Sequence, residues 1–185
     1  NVLEFVKKVR TVTQIPLVCM GYINNVLTYG VEKFVLAAKS AGLDGAIIPD
    51  LPYEEAGNML DICKKNDFSL INFVTPNTTA QRINETCKNA DGFIYCVSVN
   101  GVTGVREIDY TPINEVVKIV KQQTQTPVAI GFGIGTPAAA KAASSVADNI
   151  IVGSAVMQKL MAEGLTAYGE LIKTIRQALD EGSQV

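Results

Sequence analysis

The chain has 185 residues, of which 48% are apolar and 18% charged, with a net charge of −2 and no histidine. That length suits one domain with a substantial core, and the slightly acidic balance gives no electrostatic reason to expect nucleic acid or an anionic membrane as partner. The lack of histidine excludes Ser-His and Cys-His nucleophile pairs and His-ligated zinc, and acid–base chemistry falls to Asp, Glu, Tyr, Lys or Cys; no metal site is expected. No apolar run is long enough for a bilayer. The start is Asn1 rather than Met, with no basic-then-apolar leader, which suggests a fragment or a segment preceding it.

Leu3, Phe5, Val6 and Val9 recur at helical spacing, so the chain opens in a helix. PLVCMGY (16–22) is a continuous apolar run headed by proline and predicts a buried strand. A helix follows at about 31–41, with Phe34, Val35 and Ala38 on one face and Gly42 past its end. The cycle then repeats. Strand 45–48 precedes a helix near 53–65 carrying Met59, Leu60 and Cys63, and strand 68–74 precedes a helix near 79–89. Strand 92–97 precedes a helix near 112–123 with Ile113, Val116, Val117 and Val120 inward. Strands 128–132 and 149–153 each end in a glycine turn with helix-compatible sequence beyond, and a terminal helix covers about 166–181.

Six βα units in strict alternation predict a parallel sheet with helices outside it. The fold expected is a (β/α)8 TIM barrel with six of its eight units present, residues 1–185 forming one domain whose first two units are missing. An open doubly wound sheet would need a long crossover to reverse the strand order, and none is evident. The longest connection, SVNGVTGVREIDYTP (98–112), follows a strand on the side where a barrel carries its active site, the place for a lid. The four cysteines, Cys19, Cys63, Cys87 and Cys96, form no C-x-x-C pair and sit on apolar faces, as buried free thiols in a reducing cytosol would.

Gly131-Phe132-Gly133 fails as a dinucleotide fingerprint, because the third glycine would fall on Thr136 and no acidic residue follows at the ribose distance. Backbone amides at a glycine turn entering a helix do suit an anion. Two such turns on consecutive final strands match the phosphate grip of a barrel, with Gly133, Gly153 and Ser154 as donors. The plainer alternative is that these glycines only end strands. Asp50, at a strand end in IIPDLPYEE, is either a general base or a residue that holds the loop or meets a partner. Tyr22 and Tyr95 are each either substrate contacts or core tyrosines.

IPLVCMGYINNVLTYGVEKF, GLDGAIIPDLPYEEA, GFIYCVSVNGVTG, PVAIGFGI and IIVGSAV, in this order and spacing, resemble the tryptophan synthase alpha subunit family. The resemblance implies a barrel that cleaves indole-3-glycerol phosphate to indole and glyceraldehyde 3-phosphate by a retro-aldol step in the cytoplasm. It implies no cofactor on this chain, the pyridoxal phosphate belonging to a partner beta subunit in an alpha-beta-beta-alpha assembly. By carry-over, Gly104, Gly133, Gly153 and Ser154 hold the phosphate. Met20, Tyr22, Ile47, Phe73, Tyr95 and Ile151 line the indole pocket, and Thr103 belongs to the lid. Asn24, Asp50, Pro52, Glu54, Glu55, Thr75, Pro76 and Asn77 fall on the face that meets the beta subunit.

Two departures accompany the resemblance. The family's catalytic glutamate and the aspartate that binds the indole N–H belong to the region before residue 1, so this sequence by itself is expected to keep the grip and lack the reaction. In the lid, Val99 stands where relatives often carry arginine. The competing functions are another phosphate-binding barrel, an isomerase or epimerase with carboxylates at strand ends, and a catalytically dead fragment that binds phosphate or a beta subunit.

Overall fold

The computed structural model describes residues 2–97, 110–131 and 133–182. The chain divides into two compact units, Asn1–Phe73 with Asn89–Phe93, and Val74–Lys88 with Ile94–Val185.

The first unit opens with α1 (Val2–Arg10), which buries Val6 and leaves Phe5 two-thirds exposed, so the apolar face is narrower than its spacing suggests. Three strands follow, β1 (Val18–Met20), β2 (Gly45–Ile47) and β3 (Ser69–Val74), paired in parallel and in sequence order. Met20, Ile47 and Ile71 are register partners and end the ladder at one level. Between β1 and β2 lie two helices, α2 (Ile23–Tyr29) and α3 (Val31–Ala41). Only the second is read from the sequence. Gly30 separates them with φ +91, a conformation that L side chains rarely adopt. The expected helix at 53–65 is a 3₁₀ turn at Tyr53–Glu55 followed by α4 (Gly57–Lys65), which buries Met59, Leu60 and Cys63. Phe34 stands edge-on to both Tyr29 and Phe68, and Val35, Ala38, Ala46, Ile48 and Leu70 fill the core around them.

The second unit has α5 (Ala80–Lys88), β4 (Ile94–Val97), α6 (Thr111–Gln123), β5 (Val128–Gly131), α7 (Pro137–Ser144), β6 (Asn149–Ile151) and α8 (Ser154–Gly182). Its strands are also parallel and adjacent in order, with Val97, Gly131 and Ile151 at one level. α6 buries the four residues its periodicity selects, Ile113, Val116, Val117 and Val120. α7 starts on a legible signal: Thr136 accepts from the Ala139 amide at 3.2 Å and Pro137 takes the first helical position. α8 begins twelve residues before the expected 166 and is interrupted at Gly164, whose backbone (φ 83, ψ −175) is not helical. The parallel βα class is therefore as read, with shorter strands. Prolines 16 and 127 precede β1 and β5 closely, and each of these strands starts after its proline.

At the N-terminal ends of the strands a basic residue late in one helix reaches past the strand that follows it, to an acid or amide in the loop before the strand after that. Arg10 pairs with Asp44 at 2.5 Å, Lys39 with Asp67 at 2.8 Å and Lys121 with Asp148 at 2.7 Å, and Lys64 donates to Asn89. Asp44 also accepts the Leu17 amide, just before β1, at 2.7 Å, and Asp148 accepts the Val128 amide, the first of β5, at 2.9 Å. Burial pushes the Asp148 carboxyl up, but the bonds from Lys121 and Val128 outweigh it and hold the group below its ordinary value. This end is a fastening, which leaves the opposite strand ends for chemistry.

Candidate functional site

In the second unit the two glycine turns come together. Gly133 has φ +72 and sits exposed beyond β5; Gly135, two residues on, lies so near Ala155 that a Cβ on it would meet the Ala155 methyl at 2.9 Å. Ala155 is in the first turn of α8. The first bond of that helix runs from the Met157 amide to the Gly153 carbonyl at 3.2 Å, so the amides of Ser154 and Ala155 precede the helical ladder. Gly153 and Ser154 are exposed. The loop after β5 is thus seated on a helix start whose early amides and dipole favour an anion. Gly135 escaped the sequence reading, although the third glycine in GFGIGTP was its visible signal.

Tyr95 is buried and its ring lies across Gly131, where a side chain on residue 131 would meet the Tyr95 ring carbons at 2.5 and 2.6 Å. Burial raises the Tyr95 phenol above its ordinary value. Ile151, the register partner of Gly131, is half-buried beside it. Tyr95, Gly131 and Ile151 thus lie on the three adjacent strands β4, β5 and β6, the last two of which precede the two glycine turns.

The first unit brings its own set to its strand ends. Met20 and Tyr22 are about two-thirds exposed and line an apolar groove of about 260 Å³ with Cys19, Val26, Phe34 and Leu43. Ile47 is buried at the level of Met20, and Phe73 is half-buried near the end of β3. Asn24, Asp50, Pro52, Glu54 and Glu55 are exposed; in the second unit Asn77 is exposed and Pro76 half-buried. Asp50 has a definite partner: its Oδ1 accepts from the Ile23 amide at 2.9 Å. That favours the reading in which it holds a segment over the one in which it is a base. Gly104, Thr103, Val99 and most of the proposed lid lie outside the described residues.

All four cysteines are free thiols, three of them buried and Cys19 half-buried. Burial pushes the thiols of Cys63 and Cys96 up to about 12, so neither is a ready nucleophile. Among the described residues no cluster of Cys, Asp or Glu is arranged to hold a metal ion, and no helix is long and apolar enough to cross a membrane.

Parallel βα units paired in chain order define the (β/α)8-barrel fold class. The sequence profile described as "Tryptophan synthase alpha chain" matches residues 1–181, and the chain belongs to that family. It is 45% identical over 160 residues to the tryptophan synthase alpha chain of Thermoanaerobacter sp. (strain X514), a match that covers 86% of this chain and 61% of the relative. The crystal structure of the tryptophan synthase alpha chain from Legionella pneumophila superposes with a TM-score of 0.88 at 31% identity, covering all of this chain and 70% of that one. A structure from Pyrococcus furiosus, described as a tryptophan synthase a2b2 complex, matches with a TM-score of 0.84 at 28% identity over 96% of this chain and 72% of that chain. The chain thus spans about 61 to 72% of the length of these relatives.

Proposed function

We propose that residues 1–185 are the C-terminal six βα units of a single-domain lyase subunit, which cleaves indole-3-glycerol phosphate to indole and glyceraldehyde 3-phosphate in tryptophan synthesis. The observation that carries this reading is the seating of Gly135 against Ala155, which joins the turn after β5 to the helix start after β6. In this assignment Gly133, Gly153 and Ser154 bind the phosphate with Gly104. Met20, Tyr22, Ile47, Phe73, Tyr95 and Ile151 wall the indole, and Thr103 serves the lid. By the family resemblance the general acid–base is a glutamate and the group that binds the indole N–H is an aspartate, neither of them among residues 1–185, which supply binding and orientation.

The partner is a beta subunit in an a2b2 assembly like that of the Pyrococcus furiosus relative, with Asn24 and Asp50–Glu55 of the first unit, and Pro76 and Asn77 of the second, as the residues that the family resemblance assigns to it. Pyridoxal phosphate resides in that partner; the cleavage of indole-3-glycerol phosphate needs no cofactor on this chain. The proposed location is the cytoplasm.

Calorimetric titration with indole-3-glycerol phosphate tests the assignment through Gly153→Asp. A Cβ at Gly153 meets nothing within 4 Å, so the substitution leaves the fold intact and sets a carboxylate against the phosphate. Binding falls at least tenfold if the reading holds, the size of one misplaced charge at an anion site. Unchanged binding removes Gly153 from the phosphate site.

A further inference from the structure

Asp50 lies beyond β2, in the turn assigned above to the partner face, yet its carboxylate is engaged inside its own unit. The amide it accepts belongs to Ile23, the first residue of α2. The cap position before it is Tyr22, whose backbone is extended (φ −95, ψ 150) and whose side chain makes no capping bond. A helix start normally draws its cap from an adjacent Ser, Thr, Asp or Asn. Here the acceptor arrives from 27 residues away. Tyr22 is fenced on both sides: the Gly21 amide donates to the Ile47 carbonyl at 3.1 Å, and the Tyr22 carbonyl accepts from the Asn25 amide at 3.1 Å. The phenol ring leaves this pinned backbone to line the groove beside Met20.

We propose that Asp50 is a positioning residue for Tyr22: its carboxylate holds the Tyr22–Ile23 junction and so links the partner-facing turn to the aromatic wall of the substrate pocket. The link to substrate rests on the function proposed above; the link from Asp50 to Tyr22 does not. Removing the acceptor frees the Ile23 amide and lets the first turn of α2 unwind, carrying Tyr22 with it. Asp50→Asn retains an acceptor oxygen and keeps the geometry, whereas Asp50→Ala loses it. Asp50→Glu keeps the charge but moves it by one methylene.

The test is ¹⁹F NMR of protein labelled with fluorotyrosine, the Tyr22 resonance being assigned with Tyr22→Phe, combined with amide exchange at Ile23 and titration with indole and inorganic phosphate. Asp50→Ala shifts and broadens the Tyr22 resonance and speeds exchange at Ile23 by about fivefold, the effect of a lost helix cap. It also weakens indole binding several-fold and leaves phosphate binding unchanged. Asp50→Asn stays close to the parent chain in each readout, and Asp50→Glu shifts Tyr22 with the charge retained. An unmoved Tyr22 resonance in Asp50→Ala and Asp50→Glu, with the circular dichroism of the parent, overturns the proposal. If Asp50→Ala moves Tyr22 but indole leaves the parent Tyr22 resonance in place, the positioning role stands and the substrate-pocket reading fails.

Discussion

The ring of Tyr95 occupies the space where any side chain on Gly131 would begin, its nearest carbons 2.5 and 2.6 Å from the ideal Cβ position. The two residues sit on neighbouring strands, near the ends assigned to substrate binding. Gly131 is therefore required by a close approach. Gly131→Ala drives the Tyr95 ring out of its place and costs about 1–3 kcal/mol in overpacking. Tyr95→Leu opens that space, so the double variant Gly131→Ala/Tyr95→Leu is more stable than the sum of the single effects by at least about 0.5 kcal/mol. Urea unfolding of the four proteins measures this coupling.

Arg10 is the strongest of the fastenings at the N-terminal strand ends. Its guanidinium reaches the Gly42 carbonyl at 2.6 Å, the Ile15 carbonyl at 2.5 Å and Asp44 at 2.5 Å, and its side chain is only 16% exposed. Three charge-assisted bonds from one half-buried donor outweigh a single surface ion pair. Arg10→Ala lowers stability by about 2 kcal/mol or more. Lys39→Ala, which breaks a pair whose Asp67 partner is wholly exposed, has little effect. Arg10→Lys recovers only part of the loss, because an ammonium cannot reproduce the planar fork. Chemical denaturation of these variants ranks them.

The buried thiols set an alkaline limit. Cys63 and Cys96 ionise at about 12 in the folded chain against an ordinary 9.0, because burial disfavours the thiolate. Their raised values contribute stability that is complete below pH 9. It is lost as pH rises from 9 towards 12, where the unfolded chain releases protons that the folded chain retains. Unfolding midpoints therefore hold between pH 7 and 8.5 and fall above 9. Cys63→Ala/Cys96→Ala removes this part of the slope while lowering the plateau by cavity formation. Thiol reagents label Cys19, the half-buried one, before the other three in the native state.

Much of this molecule is legible from local pattern. Ile113, Val116, Val117 and Val120 announce α6 by spacing, and Thr136 with Pro137 announces the start of α7. α2 is illegible for a physical reason. INNVLTY is only two turns long, and the group that caps it is Asp50, distant in sequence, so the start signal is absent from its own neighbourhood. The same long-range bond explains why Asp50 reads ambiguously as base or anchor. At α8 the break at Gly164 divides the helix, and the terminal periodicity registers only the portion beyond it. At the candidate site, glycines 133 and 153 are visible as turns, but the contact that joins their loops runs through Gly135 and Ala155 and belongs to tertiary packing.

The most direct test of the central claim is an amide-resolved NMR titration of the chain with inorganic phosphate. The account predicts saturable shifts concentrated at Gly133–Thr136 and Gly153–Val156, abolished in Gly153→Asp, with the amides around Asp44 and Asp148 unmoved. Shifts gathered at the basic ends of the strands instead, or none at the two glycine turns, would contradict it.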